Sequence, residues 1–223
     1  MTDSDRTHHR DFLGKAAALA AGALTMPALL EATPRDALVQ DSSDAWLERI
    51  TGKHRQLFDM PGDGGGLPMV HIVNYLDTYN KAYGAKDADI SAIGTFYGMT
   101  TLHGVNDAMW ARYRLGEIVN AKDASGAAYT RNPWRTEVPV PAFGASLPNA
   151  SIEALQKRGV LFLLCNNALT FFAGQTAKAR GLEAPAVYAD LKANILPNVV
   201  LVPAMVIAIE KAQTVKQVAY NRQ

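Results

Sequence analysis

The sequence predicts an α/β fold, a three-layer α/β/α sandwich around a mainly parallel sheet. Three observations predict it: apolar, β-branched runs of strand length, helical segments between them, and glycine or proline at the junctions. Since right-handed crossovers between parallel strands place helices on both faces of the sheet, this alternation favours three layers. The chain has 223 residues, 48% of them hydrophobic and 19% charged, which suits one such domain.

Apolar runs predict the strands. Residues 69–76, Met-Val-His-Ile-Val-Asn-Tyr-Leu, have the composition of a strand covered on both faces, and we predict them to be the first strand. Residues 160–164, Val-Leu-Phe-Leu-Leu, are an unbroken hydrophobic run and predict a central strand. The other predicted strands are at 90–97, 199–202 and, shorter, within 215–220.

Helical spacing and capping residues predict the helices between these strands. Val105, Met109 and Tyr113 recur close to the helical period. Asn106 or Asp107 is available to cap this segment. The predicted helices are at 45–50, 77–83, 104–116, 151–159, 168–180 and 204–212.

Residues 1–32 are predicted to be a signal peptide, in which a polar start with three basic residues precedes an apolar, alanine-rich stretch at 16–30. That stretch is shorter than the roughly 20 residues that span a bilayer, so no permanent membrane anchor is expected. Residues 9–15, His-Arg-Asp-Phe-Leu-Gly-Lys, resemble a twin-arginine export signal, with His9 in place of the first arginine. The sequence therefore predicts export to the periplasm.

The remaining chain is predicted to have two parts. Residues 33–66 form an N-terminal extension with a glycine-rich loop, and residues 67–223 form the α/β domain. An insertion at 120–148, rich in proline and turn-forming residues, interrupts the alternation of strands and helices. Loops of this length are uncommon unless they serve a site or an interface, and both are hypotheses for this one.

Composition excludes several functional classes. With 22 basic and 21 acidic residues, the chain has no surplus of positive charge to follow a phosphate backbone, so no nucleic acid is expected as a partner. Its single cysteine excludes an intrachain disulfide and a cysteine cage for zinc. No two histidines have the spacing of a helical metal pair. We therefore predict neither a metal site nor a cofactor.

Cys165 is the main chemical signal. It follows the predicted strand at 160–164, at the edge where sites form in parallel sheets, and it precedes a helix. The amides at a helix N-terminus favour the thiolate, and Asn166 and Asn167 add donors for a bound anion or a persulfide. The alternative is that Cys165 is a small buried hydrophobic residue, since free cysteine is among the most buried residue types.

Three further residues are candidates for the same site. His103 follows the second predicted strand and is a candidate base or ligand, the alternative being a surface loop histidine. Tyr97 and Trp110 are the aromatic residues nearest that strand end, so they are the candidates to line a pocket. Aromatic residues of this kind are more often part of the core.

Residues 159–169, Gly-Val-Leu-Phe-Leu-Leu-Cys-Asn-Asn-Ala-Leu, are followed by Leu-Pro-Asn-Val-Val-Leu-Val-Pro-Ala at 196–204 and Val-Ala-Tyr at 218–220. This order resembles the DsrE-like family of small sulfur-relay proteins, in which a Gly-Val strand leads into Cys-x-Asn and a later Pro-x-Val strand ends in Val-Pro-Ala or Val-Pro-Ser. The resemblance is clearest over 151–220. Met205 stands where that family commonly has glycine.

The resemblance implies a function for Cys165. It would accept sulfur as a persulfide from a donor protein and pass it to an acceptor protein, and the chain would form a homo-oligomer. The alternative hypothesis is a non-catalytic periplasmic protein of the same fold, which binds a small ligand or assembles with other proteins while Cys165 stays buried.

Overall fold

The structure is a computed structural model that describes residues 43–223. The predicted signal peptide and the predicted residues 33–42 of the extension lie outside the described residues. The strands are β1 (His54–Asp59), β2 (Ile90–Phe96), β3 (Val138–Val140), β4 (Ala145–Leu147), β5 (Leu161–Cys165), β6 (Val199–Val202) and β7 (Ala219–Arg222). The helices are α1 (Leu67–Tyr83), α2 (Asp107–Tyr113), α3 (Leu115–Ile118), α4 (Ile152–Lys157), α5 (Asn166–Arg180), α6 (Ala184–Ala193) and α7 (Met205–Lys216).

Five strands form one sheet in the order β6-β5-β2-β1-β7, and every neighbouring pair is parallel. Strands β3 and β4 form a separate antiparallel hairpin within the insertion. Helices cover both faces of the five-stranded sheet, so the predicted three-layer α/β/α sandwich is confirmed. Within residues 43–223, no helix has both the length and the apolar character of a membrane span.

Alternation along the strands divides the core into two clusters. In β5, Phe162 and Leu164 pack with residues of α1, α2, α4, α5 and α6, on what we call the five-helix face. Leu161, Leu163 and Cys165 point to the other side, which we call the α7 face. There the core is closed by α7 and by a short 3-10 helix at Ala45–Arg49. Neighbouring residues of one strand therefore belong to different layers.

The predicted first strand at 69–76 is wrong, because these residues lie in α1. Gly66, in a left-handed conformation, and Pro68, in the first turn, begin a helix there. Ile72 and Leu76 face the core at helical spacing, whereas His71 and Asn74 are exposed. A run of eight residues that is mostly apolar and partly β-branched is compatible with a buried strand and also with a helix that buries one face.

The actual first strand, β1, lies in the segment predicted to be an extension before the domain. Its first three residues, His54 to Gln56, are polar and half-buried, so they lack the apolar run of the other strands. Leu57, Phe58 and Asp59 are buried between β2 and β7. The helix α6 was also missed. The predicted strands at 90–97, 160–164 and 199–202 are confirmed as β2, β5 and β6.

The two edges of the sheet differ in character. At one edge, the Tyr220 hydroxyl of β7 donates to Asp59 Oδ2 at 2.6 Å, and Asp59 is only 1% exposed. All four residues of β7 are exposed. At the other edge, the four residues of β6 lie between Pro197 and Pro203. Both edge strands are short.

Gly94 in β2 leaves room for the side chains of Phe162 and Met60. A Cβ atom at Gly94 would lie 2.6 Å from Cε1 of Phe162 and 3.1 Å from Cε of Met60. The Phe162 ring stacks on Phe96, with centroids 5.0 Å apart. A methyl group at residue 94 would therefore displace an aromatic pair of the five-helix face.

We expect Gly94→Ala to lower the free energy of unfolding by about 2 kcal/mol, because the added methyl overpacks this part of the core. Gly174, within α5, has no atom within 4 Å of an added Cβ. We expect Gly174→Ala to raise the free energy of unfolding by about 0.5 kcal/mol or more, since alanine favours the helix. Urea unfolding followed by circular dichroism measures both. A Gly94→Ala protein as stable as wild type would contradict this account of the packing.

Candidate functional site

One buried asparagine attaches the insertion to the loop that follows β2. The Asn132 side-chain amide donates to the carbonyl oxygens of His103 at 2.8 Å and Val105 at 2.9 Å. Its side-chain oxygen accepts from the Trp134 N–H at 3.0 Å, and its own N–H donates to Asp107 at 3.0 Å. Asn132 is 2% exposed. Its hydrogen bonds therefore fix the path of the insertion across the five-helix face.

An arginine adds a second attachment beside the first. Arg135 Nη1 lies 2.6 Å from an Asp107 carboxylate oxygen, and Arg135 Nε lies 2.8 Å from Glu153. Asp107 begins α2 and Glu153 lies in α4. The two carboxylates raise the pKa of Arg135, and the hydrogen bond that Arg135 donates to Glu153 is the largest influence. One side chain of the insertion thus bridges two helices.

The glycine-rich loop before α1 completes the enclosure. Gly66 has φ +82°, and a Cβ atom there would lie 2.5 Å from the Pro139 carbonyl oxygen. Only glycine allows this approach of the loop to β3. Between this loop, the insertion and the segment after β2 lies a cavity of about 710 Å³. Six of its lining residues carry the argument that follows: Asp63, His103, Asp123, Tyr129, Trp134 and Ser146.

His103 lies at the inner end of this cavity, packed between two indole rings. Its ring centroid is 4.1 Å from that of Trp134 and 5.5 Å from that of Trp110. The residue is 3% exposed and belongs to a 3-10 segment, Gly98–Gly104, that leads from β2 to α2. The predicted alternative of a surface loop histidine is therefore wrong.

The hydrogen bonds of His103 determine how its ring can interact. Nδ1 lies 3.3 Å from the carbonyl oxygen of Thr100, and because a carbonyl only accepts, Nδ1 carries the proton. Burial lowers the pKa of His103 to about 4, against smaller opposing influences from the Thr100 carbonyl and Asp63. The imidazole is thus neutral at pH 7, with a lone pair on Nε2.

That lone pair is open to the cavity. No group among residues 43–223 hydrogen-bonds to Nε2 of His103. Within the same residues, Thr176 Oγ1 is the only fully buried side-chain polar atom that lacks a partner. Nε2 of His103 also lacks a hydrogen-bond partner but is not among these fully buried atoms. Since the His103 ring lines the cavity, we infer that Nε2 is reached from there. The cavity therefore ends on a hydrogen-bond acceptor.

Cys165 lies elsewhere. It is the last residue of β5, as predicted, and it points to the α7 face, where it is 6% exposed among Leu163, Val202, Met205 and other apolar residues. Its Sγ accepts the backbone N–H of Met205, the first residue of α7, at 3.4 Å. It lines neither the His103 cavity nor the groove of about 740 Å³ beside α1.

The structure does not bring the predicted site residues together. Trp110 is fully buried on the five-helix face, and its Nε1 donates to the Leu102 carbonyl at 2.9 Å. Tyr97 is half-buried and packs on the α7 face, where burial and then Asp59 raise its pKa. His103 is thus beside Trp110, and Cys165 is on the same side of the sheet as Tyr97.

The two asparagines after Cys165 also differ. Asn166 is half-buried, and its side-chain oxygen accepts the Tyr188 hydroxyl at 2.6 Å, which joins α5 to α6. Asn167 is exposed, and no hydrogen bond of its side chain is found within the described part of the chain. Neither residue lines the His103 cavity.

Sequence reasoning missed most of the cavity. Asp63, Tyr129, Asn132 and Trp134 were not singled out as site residues. The useful signal was the length of the insertion, which predicted a role at a site or an interface. Across residues 43–223, no three His, Cys, Asp or Glu side chains converge as ligands of a metal ion would.

No protein-family model matches this chain, and no curated protein matches it. The resemblance to the DsrE-like family therefore stays a prediction from the motifs at 151–220. The cavity and the cysteine have to be judged on their own geometry.

We expect acid to destabilise the protein through His103. Above pH 6.5 the imidazole is neutral in both the folded and the unfolded chain, so it contributes nothing. As the pH falls from about 6.5 to about 4, the unfolded chain takes up a proton that the folded chain excludes, which lowers the free energy of unfolding by about 3 kcal/mol. His103→Gln should remove this part of the pH dependence.

Urea unfolding at pH 7, 5.5 and 4 checks this expectation. The remaining titratable groups are shared by wild type and His103→Gln, so the difference between the two isolates His103. His71→Gln, which removes an exposed histidine of α1, is the matched control and should follow wild type. Parallel pH profiles for wild type and His103→Gln would contradict a neutral buried imidazole.

Proposed function

We propose that this chain is a non-catalytic small-ligand-binding protein, and that the ligand occupies the cavity over His103. One observation carries the proposal: a neutral, buried imidazole with an unused acceptor lines a partly open cavity. A volume of about 710 Å³ is in the range of small-molecule sites, which combine apolar walls with a few placed polar groups.

The chemistry of His103 supports binding over catalysis. A general base works best when its pKa is near the working pH, and burial lowers that of His103 to about 4. Such an imidazole is a weak base near pH 7 but a well-oriented hydrogen-bond acceptor, because Thr100 and the two indoles hold the ring. Export to the periplasm, on the predicted signal peptide, and a homo-oligomer, on the DsrE-like resemblance, remain part of the proposal.

A second function is the persulfide carrier implied by the DsrE-like resemblance. One observation favours it: Cys165 directly precedes α5, and its sulfur accepts the backbone N–H of Met205, the first residue of α7, so the thiol lies at the N-terminus of that helix. Against it stand the 6% exposure of Cys165 and its apolar neighbours, which leave little room for a visiting sulfur donor. We therefore rank ligand binding first.

Thiol reactivity separates the two functions. We expect Cys165 to react with a disulfide reagent at least about 100-fold more slowly in the native protein than in urea, because the thiol must first be exposed by local opening. Absorbance of the released thiolate measures both rates, and Cys165→Ser gives the blank. Rapid native labelling, with a persulfide formed on Cys165 from polysulfide, would instead support the carrier.

A fragment screen tests the binding function directly. We expect several small aromatic fragments to shift the backbone NMR signals of residues around the cavity at pH 7. Ser146→Trp, at the cavity lining, should abolish these shifts by filling the space. Ala142→Trp lies in the turn of the same hairpin but outside the lining, and it should leave them unchanged. Shifts that persist in Ser146→Trp would refute the assignment of the site.

A further inference from the structure

The inner end of the His103 cavity requires a donor from its ligand. Nε2 of His103 is an acceptor because Nδ1 carries the proton toward Thr100. A residue that is 97% buried cannot turn to present its other nitrogen without losing that hydrogen bond and its place between the indoles. A ligand group that only accepts, such as a carboxylate, would meet the lone pair and be repelled.

The charge of the lining is negative. Asp63 and Asp123 line the cavity with one cation, Lys122. Neither carboxylate forms an ion pair with a residue in the range 43–223. Hydrogen bonds from Ser125 and the amides of its turn lower the pKa of Asp123, so this carboxylate is charged at pH 7.

Asp63 is the carboxylate that bears on the histidine. Its Oδ1 accepts only the Gly65 N–H, at 3.3 Å, and its charge acts on the His103 ring. Lys122 is exposed, and its flexible side chain can extend into solvent. With two carboxylates, Asp63 and Asp123, against one cation, Lys122, the lining favours a cationic head group in the cavity that His103 lines.

The walls add an aromatic face. Tyr129 is half-buried, and burial raises its pKa, so its hydroxyl stays protonated and its ring neutral. A tyrosine ring attracts a cation placed over its face, by an amount comparable with an exposed ion pair. Pro139 and Pro141 make the neighbouring wall apolar. The cavity therefore offers an apolar wall for the body of a ligand and a polar, negatively charged part for its head group.

Resting on the proposed function, we propose that the ligand is a small molecule with a protonated amine on an aromatic or apolar body. The amine donates to Nε2 of His103 and lies beside Asp63, while the body contacts Tyr129 and the prolines. This placement satisfies the free acceptor, complements the negative lining and uses the apolar wall. A carboxylate head group cannot donate to the acceptor, and a hydroxyl does not complement the negative lining.

Three probes that share a 2-phenylethyl body test the head group: 2-phenylethylamine, 2-phenylethanol and 3-phenylpropanoate, each titrated into the full chain at pH 7. Calorimetry gives the affinities, and the Nε2 NMR signal of His103 reports contact with its lone pair. We expect the amine to bind about tenfold more tightly than the alcohol, from its ion pair and charge-assisted hydrogen bond with Asp63, and the carboxylate not to bind.

Asp63→Asn should bring the affinity for the amine to that for the alcohol, while leaving the alcohol unchanged. Glu183→Gln removes an exposed carboxylate that does not line the cavity, and it should preserve the tenfold preference. Equal binding of amine and alcohol, with both shifting Nε2, would overturn the ligand class and leave the cavity function intact. Preferred binding of the carboxylate would also overturn it. If no probe and no screened fragment shifts Nε2, both proposals fail.

Discussion

The hydrogen bonds of Asn132 are the constraint on which the rest of the candidate site depends. Its amide group satisfies two backbone carbonyls of the His103 segment and the N–H of Trp134, so one buried side chain joins two otherwise separate stretches of chain. Without these bonds, two carbonyls would be buried unpaired, at a cost of order 1–3 kcal/mol each. These hydrogen bonds place the Trp134 indole against His103 and hold the insertion where it forms a wall of the cavity.

The division of the core into two faces explains why one predicted site became two separate places. Cys165 ends β5 and His103 follows β2, and because these strands are neighbours in the sheet, the two residues were expected side by side. The side chain of Cys165 takes the direction of Leu161 and Leu163, whereas the 3-10 segment after β2 carries His103 to the opposite face. Residues at the same end of a parallel sheet can thus lie on opposite faces of it.

The fold class and the buried strands could be predicted from the sequence, because β2, β5 and β6 are short apolar runs with clear ends. Strand β1 could not, since His54 and Arg55 make its first half polar. The start of α1 was mistaken for a strand because Val70, Ile72 and Val73 are β-branched residues within a short apolar run. The position of Cys165 at a strand end was predictable. Its direction was not, because an unbroken hydrophobic strand shows no alternation. The cavity depends on long-range bonds from Asn132, which no local pattern reveals.

The two edges of the sheet restrict how copies of the chain can associate. Pro197 and Pro203, on either side of β6, have no backbone N–H to donate. The four residues of β6 are too few to pair well with a further strand. At β7 the exposed polar side chains, including Arg222, disfavour stacking against another sheet. Among residues 43–223, the edges of this sheet therefore disfavour a continuous sheet running through several molecules.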